Sequence, residues 1–157
     1  MQVEKANSFL NEDILKVFEK QWGFGIPGGY RKFLLEFNGG YTEKTFFNFK
    51  NRNNGSALHG LFGIRCDSNL SLLSYKCEDE RYPTNTMPIG NDVFGNRILL
   101  SVKGADRGKV YFWDHEREAD TDKGEVADYS NLTLIADSFE EFISSLKSEE
   151  EIEAIGE

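Results

Sequence analysis

The side chains best suited to chemistry in this 157-residue sequence gather at Asp114-His115-Glu116. An imidazole between two carboxylates can act as a base, or ligate a metal while a carboxylate orients its second nitrogen. Either role requires convergence on one atom. Val110–Trp113 reads as a strand, and successive strand side chains alternate between faces. If the strand runs on, Asp114 and Glu116 share one face and His115 takes the other. Asp114 is then expected to end the strand by accepting backbone N–H bonds, with His115 half exposed. His59 lies near a glycine-rich turn without a companion at ligand spacing. Cys66 and Cys77 are eleven residues apart, which fits no zinc or redox motif, and are expected as reduced thiols. No Gly-x-Ser-x-Gly elbow occurs, and Gly28-Gly29 lacks the Lys-Ser/Thr ending of a phosphate loop. No catalytic residue, cofactor or metal is expected.

What remains is contact with another protein. The candidate contact residues are Asp92, Trp113, Asp114, Glu116, Glu118, Asp120 and Asp122. Asp92, with Gly95 and Asn96, has a first reading as a tight turn and a second as a partner-contacting edge. Trp113 belongs by default to the core; exposed, it would be an aromatic anchor ringed by acids. The net charge of −9 is uneven. Residues 1–113 carry 15 Lys and Arg against 12 acids, whereas residues 114–157 carry 3 against 15. Such a surface repels nucleic-acid phosphates and favours a basic protein partner.

The elements that must position these residues follow from periodicity and punctuation. Asn11 caps a first helix with Ile14, Leu15, Phe18 and Trp22 on its apolar stripe, broken by Gly23 and Gly25. Pro27 opens a second helix carrying Tyr30, Phe33, Leu34 and Phe37, closed by Asn38-Gly39-Gly40. Residues 45–49 read as a strand, 51–56 as a polar loop and 61–64 as another short strand. Ser68 is placed to cap a short helix with Leu70, Leu72, Leu73 and Tyr75, and residues 76–86 read as a charged connection. Ile98–Leu100 and Val110–Trp113 form a hairpin joined by Lys103–Gly108, with a turn signal at 90–96 before it. Residues 114–128 hold seven acids and read as a solvated loop. Leu132–Ala136 is a last strand, and Ser138 with Glu141 caps a final helix bearing Phe139, Phe142, Ile143 and Leu146. The expectation is one domain over residues 1–147 and an acidic, frayed tail over 148–157. No run is apolar enough to span a bilayer and no secretory signal is visible, so the expected location is cytoplasmic.

Five segments, in order, resemble the SUKH superfamily, which includes bacterial immunity proteins and the yeast Smi/Knr regulators of cell-wall assembly. Ile26-Pro-Gly-Gly-Tyr-Arg-Lys-Phe-Leu-Leu-Glu-Phe-Asn-Gly-Gly40 is similar to its LP-x-x-Y-x-x-F-L-x-x-x-N-G-G segment. Leu61–Ile64 is similar to its L-F-G strand, Pro88–Asn96 to its I-G-x-D-x-x-G-N turn, Gly108–Glu116 to its G-x-V-Y-x-W-D-H-E strand, and Ala136–Phe142 to its closing helix. Ile26 replaces a common Leu, and Gly28-Gly29 replace larger residues. The resemblance implies an α+β single-domain fold, a mixed, mostly antiparallel sheet with helices packed on it. It also implies an immunity protein that binds and neutralises a cognate secreted toxin, often a nuclease, by direct contact. A non-catalytic scaffold in cell-wall or growth signalling is the alternative. The sequence does not choose between monomer and homodimer.

Overall fold

The computed structural model describes residues 10–64, 70–76 and 79–155. Cys66, Cys77 and the expected cap Ser68 lie outside the described residues. Helices α1 (Glu12–Trp22) and α2 (Gly28–Glu36) precede strands β1 (Phe46–Asn48) and β2 (Gly55–Leu61). Helix α3 (Leu72–Lys76) leads to β3 (Thr86–Asp92), β4 (Arg97–Ser101), β5 (Val110–Trp113) and β6 (Leu132–Ala136), followed by α4 (Phe139–Ser145) and α5 (Glu149–Ile155). The six strands pair in sequence order and every pairing is antiparallel. This is the expected α+β fold with an all-antiparallel sheet.

The sheet curls until its ends meet. Lys50 N–H donates to the Leu134 carbonyl at 2.9 Å, and Phe46 exchanges two backbone bonds with Lys147. The Phe49 and Phe112 rings lie 5.0 Å apart across the join. Both edges are thereby occupied, which removes the template that an open edge offers to other chains. Bulges interrupt β2, β3 and β5–β6 pairing, and such extra residues bend strands and increase their twist.

The inner face carries Met87, Ile89, Ile98, Leu100, Val110 and Phe112, packed with Leu15, Tyr30, Phe33, Phe139 and Phe142 from α1, α2 and α4. The outer face carries Leu99, Tyr111, Trp113 and Leu132, closed by Tyr82. The expected alternation of Tyr111 and Trp113 against Phe112 therefore holds, with apolar packing on both sides. Helix α1 buries Leu15 and packs the half-buried Phe18 and Trp22 against the core, whereas Ile14 points outward at 38% exposure. One narrow stripe cannot hold two successive residues.

The segment after β2 shows how α2 is fixed to the sheet. Residues 62–64 have left the strand ladder, yet each of their backbone polar groups has a partner. Phe62 N–H donates to Ile89 O (2.8 Å), Gly63 N–H to Leu70 O (2.9 Å), and Gly63 O accepts from Leu72 N–H (2.7 Å). Phe62 O accepts the buried Tyr30 hydroxyl at 2.7 Å. The Asn38 carboxamide takes Ile64 N–H (2.7 Å) and donates back to Ile64 O (2.9 Å). Asn38 does this from a left-handed conformation, φ 51°. A side chain on Gly63 would strike the Asn38 carbonyl, and one on Gly39 would lie 2.7 Å from Gly63 N. These glycines admit backbone against backbone.

Arg31 ties α1 to α2 through Glu12 (2.5 Å) and Glu19 (2.8 Å). Burial opposes the Glu19 charge, but the Arg31 hydrogen bond and the Ile26 N–H outweigh it and hold the carboxyl below its ordinary range. Four expectations are corrected. The polar loop at 51–56 already contains the start of β2, and the strand expected at 61–64 has only its first residue in β2. Residues 86–92, expected as connection and turn, form β3. The tail expected to fray forms α5, whose first turn is capped by Ser148 Oγ accepting Glu151 N–H at 3.1 Å; Lys44 pairs with Glu151 at 2.5 Å.

Replacing Asn38 with Ala leaves Ile64 N–H and C=O buried without partners. Asn38→Ala should cost about 2–4 kcal/mol, read as a lower urea midpoint at unchanged slope.

Candidate functional site

The residues that looked catalytic are distributed over the rim of the outer face, and strand termination explains their order. β5 stops at Trp113. Asp114 then caps a single 3₁₀ turn, His115–Arg117, by accepting Glu116 N–H at 3.0 Å. The expected continuation of the strand through 116 is therefore corrected, while Asp114 does end it by accepting an amide. His115 is half-buried. Its N–H donates to Asn96 Oδ1 at 3.0 Å, and its Nδ1 lies 2.5 Å from the same oxygen. The imidazole thus docks on the β3–β4 turn, where a side chain on Gly95 would meet it at 3.8 Å. Among the described residues, no three His, Cys, Asp or Glu side chains gather as a metal site.

Asp92 organises that turn. Its Oδ1 accepts the N–H groups of Phe94 (2.9 Å) and Asn96 (2.7 Å), and its Oδ2 accepts Asn96 Nδ2 (2.9 Å) and the Ser56 hydroxyl (2.8 Å). At 3% exposure it is closed to a partner. Trp113 is fully buried between Leu99 and Tyr82, with the Arg81 guanidinium 5.1 Å from its ring. Both are removed as contact residues. Each is interior because elements distant in sequence, Ser56 on β2 and the 79–82 connection, close over it.

The acidic stretch is a folded loop. Asp114, Asp120 and Asp128 each cap one 3₁₀ turn, at His115–Arg117, Thr121–Lys123 and Tyr129–Asn131. Glu125 accepts Asp120 N–H at 2.6 Å. Glu118 receives Arg81 through Nε and Nη2, both at 3.0 Å. The carboxylates of Glu116 and Asp122 make no hydrogen bond or ion pair among the described residues, and both residues are exposed. Of the five acids expected to meet a partner here, these two retain fully available charge.

A cleft of about 560 Å³ separates this loop from the end of α1, lined by Trp22, Phe24, Lys76, Tyr82, Glu125 and Val126 among others. Its Lys76 ammonium is already held by Asp79 at 2.5 Å and lies 5.7 Å and 5.9 Å from the Trp22 and Phe24 ring centroids. A second groove of about 550 Å³ runs between α2 and α4, along Phe33, Phe37, Phe139 and Ile143.

Sequence reading missed two features. One is the Asp106 cluster, in which one carboxylate accepts the hydroxyls of Ser101 (2.8 Å), Tyr111 (2.9 Å) and Tyr129 (2.7 Å). Burial opposes the Asp106 charge, but the hydroxyls of Tyr129, Ser101 and Tyr111 outweigh it and hold the carboxyl below the usual range. Burial, then Asp106, pushes Tyr129 up to about 12. The four groups join β4, β5 and the acidic loop. The other is Val93-Phe94 at the β3–β4 tip, with the residues 54% and 71% exposed. Two apolar residues inside a turn signal were its only trace in the sequence.

Residues 10–145 match the SMI1 / KNR4 family (SUKH-1). The chain is 32% identical over 152 residues to the SPbeta prophage-derived uncharacterized protein YokK of Bacillus subtilis (strain 168), covering 86% of this chain and 73% of that protein. No solved structure matches the chain.

Because the folded-state pKa of Asp106 is depressed, its contribution is complete above the unfolded value of about 3.9 and is lost as pH falls through the lower folded value. Asp106→Asn should cost about 1–3 kcal/mol at neutral pH. The gap to the parent should be constant from about pH 5 to 8 and narrow below about pH 4, in chemical unfolding followed across that range.

Proposed function

The chain belongs to the SMI1 / KNR4 family (SUKH-1), and on that footing we propose that it is a non-catalytic immunity protein that occludes a cognate secreted toxin by direct contact. The observation that carries the reading is the family match over residues 10–145, almost the whole described domain. The site geometry supports it. Asp92, Asp114 and Asp120 close turns and His115 docks on Asn96, an arrangement that suits a rigid binding module.

The toxin in this reading is basic, as many nuclease domains are. Glu116 and Asp122 supply the steering charge, and charge at a rim acts mainly on the association rate. Glu118 and Asp120 are less suitable, since reversing them would also break the Arg81 pair and a cap.

The test is expression of the C-terminal domain encoded by the reading frame adjoining this chain's gene. Alone it should arrest growth, and co-expression of the chain should restore it. Arrest without restoration removes the reading. With both proteins purified, Glu116→Lys combined with Asp122→Lys should slow association about three- to tenfold at low salt, an effect that fades near 1 M salt as screening shortens to about 3 Å. An unchanged association rate at low salt removes the steering role of these two acids.

A further inference from the structure

We infer that the β3–β4 tip, with Phe94 as its anchor, is the surface that enters the toxin, inserting into an apolar pocket bordered by basic side chains. This deepens the immunity reading and rests on it.

The turn has no structural need for apolar residues at positions 93 and 94. Its geometry is fixed by the Asp92 carboxylate, by Gly95 at φ 90° and by Asn96. Val93 contributes its backbone N–H, donated to Ala57 O at 3.1 Å, and Phe94 its N–H to Asp92. The phenyl ring of Phe94 makes no ring contact among the described residues and is 71% exposed. Single exposed apolar residues are ordinary on protein surfaces. Val93-Phe94 is different in being a consecutive pair, both more than half exposed, at the apex of a hairpin.

That apex is unusually well held for a loop. Three hydrogen bonds to the Asp92 carboxylate brace it from within, a fourth from Ser56 ties it to β2, and His115 docks beneath Gly95 through Asn96. Arg97 Nη1 closes the far side on Gly95 O at 3.0 Å. A rigid segment loses little freedom on binding, so burial of its side chains converts more fully into affinity. Aromatic residues in fully desolvated pockets are the usual centres of binding energy.

The partner's chemistry follows from what adjoins the tip. The residue after the docked His115 is Glu116, exposed and with its carboxylate uncommitted among the described residues. The Arg97 guanidinium at the tip is engaged by Gly95 O and the Tyr75 ring, so the uncommitted charge beside the apolar insert is a carboxylate, which fits a pocket whose floor is apolar and whose rim carries Lys or Arg. The charge draws the partner in, and Phe94 holds it.

The experiment uses the full chain and, as probe, the purified C-terminal domain encoded by the adjoining reading frame. Phe94→Ala is compared with Val126→Ser, which removes an apolar side chain of 81% exposure at another site. Both variants should melt with the parent, as exposed substitutions away from structural contacts do. Phe94→Ala should weaken binding about tenfold or more, chiefly through faster dissociation, and Val126→Ser should not. Weakening of less than tenfold by Phe94→Ala, or equal weakening by both variants, overturns the tip as anchor and leaves the immunity reading standing. If the parent chain itself neither binds the domain nor rescues growth, the immunity reading fails and the inference fails with it.

Discussion

Three residues of backbone that belong to no strand, Phe62 to Ile64, tie helix α2 to the sheet. A buried peptide group without a partner costs as much as a lost hydrogen bond, so a chain leaving a sheet inside a core must find donors and acceptors elsewhere. Here Tyr30 and Asn38 supply them from α2 and its C-terminus, while Leu70 and Leu72 supply them from the approach to α3. The requirement works in both directions. The segment needs α2 to be satisfied, and α2 acquires through it a fixed distance from β3, because Phe62 also bonds Ile89. Tyr30 is fully buried, and burial drives its hydroxyl pKa upward.

From Ile89 the same logic runs along the outer rim. β3 ends at Asp92, whose carboxylate organises the turn to β4. Asn96 at the far side of that turn receives His115, which has just left β5. Asp114 begins the series of caps that folds the acidic loop back over the sheet, and the Arg81–Glu118 pair fastens that loop to the connection preceding β3. The segments resembling SUKH motifs are thus the contact points of one another. At the ends of β3 and β5 a carboxylate, Asp92 and Asp114, satisfies the backbone of the turn that follows.

How much of this could be read beforehand depended on the range of the interactions. Helices α1, α2 and α4 were legible, with Asn11 and Ser138 correctly placed as caps, because a cap and its helix lie within four residues. β5 and β6 were legible from their β-branched and aromatic content. β3 was hidden by Pro88 and Gly90, residues that argue against a strand taken in isolation. They are tolerated because Pro88 stands at the register shift between Pro88 and Gly90, where the ladder is already interrupted, and Gly90 lets β3 approach the Gly60 carbonyl, where a Cβ would stand 2.8 Å away. The start of β2 was hidden in the same way, since Gly55 and Ser56 become strand only by pairing with Asn48 and Phe47. Alternation correctly put Trp113 and Tyr111 on one face. It could not reveal that residues 79–82 cover that face, and so an aromatic that might have been a surface anchor proved to be core.

The acids carry the same lesson further, because their number misstates their availability. A run of seven carboxylates suggests a continuous field, yet three are caps and one is held in a two-point contact with Arg81. Charge used in a local hydrogen bond still contributes at long range, but screening limits that range to about 8 Å at physiological salt. Close-range complementarity falls to the carboxylates left free. Exposed ion pairs are individually weak, of order 0–1 kcal/mol, whereas full burial of one Phe side chain stabilises by about 1.5–3 kcal/mol. On these magnitudes the acidic rim is suited to setting how often a partner arrives, and a fixed apolar tip to setting how long it stays. The polar network beneath Val93-Phe94 keeps that tip out in water when the hydrophobic effect alone would fold it inward.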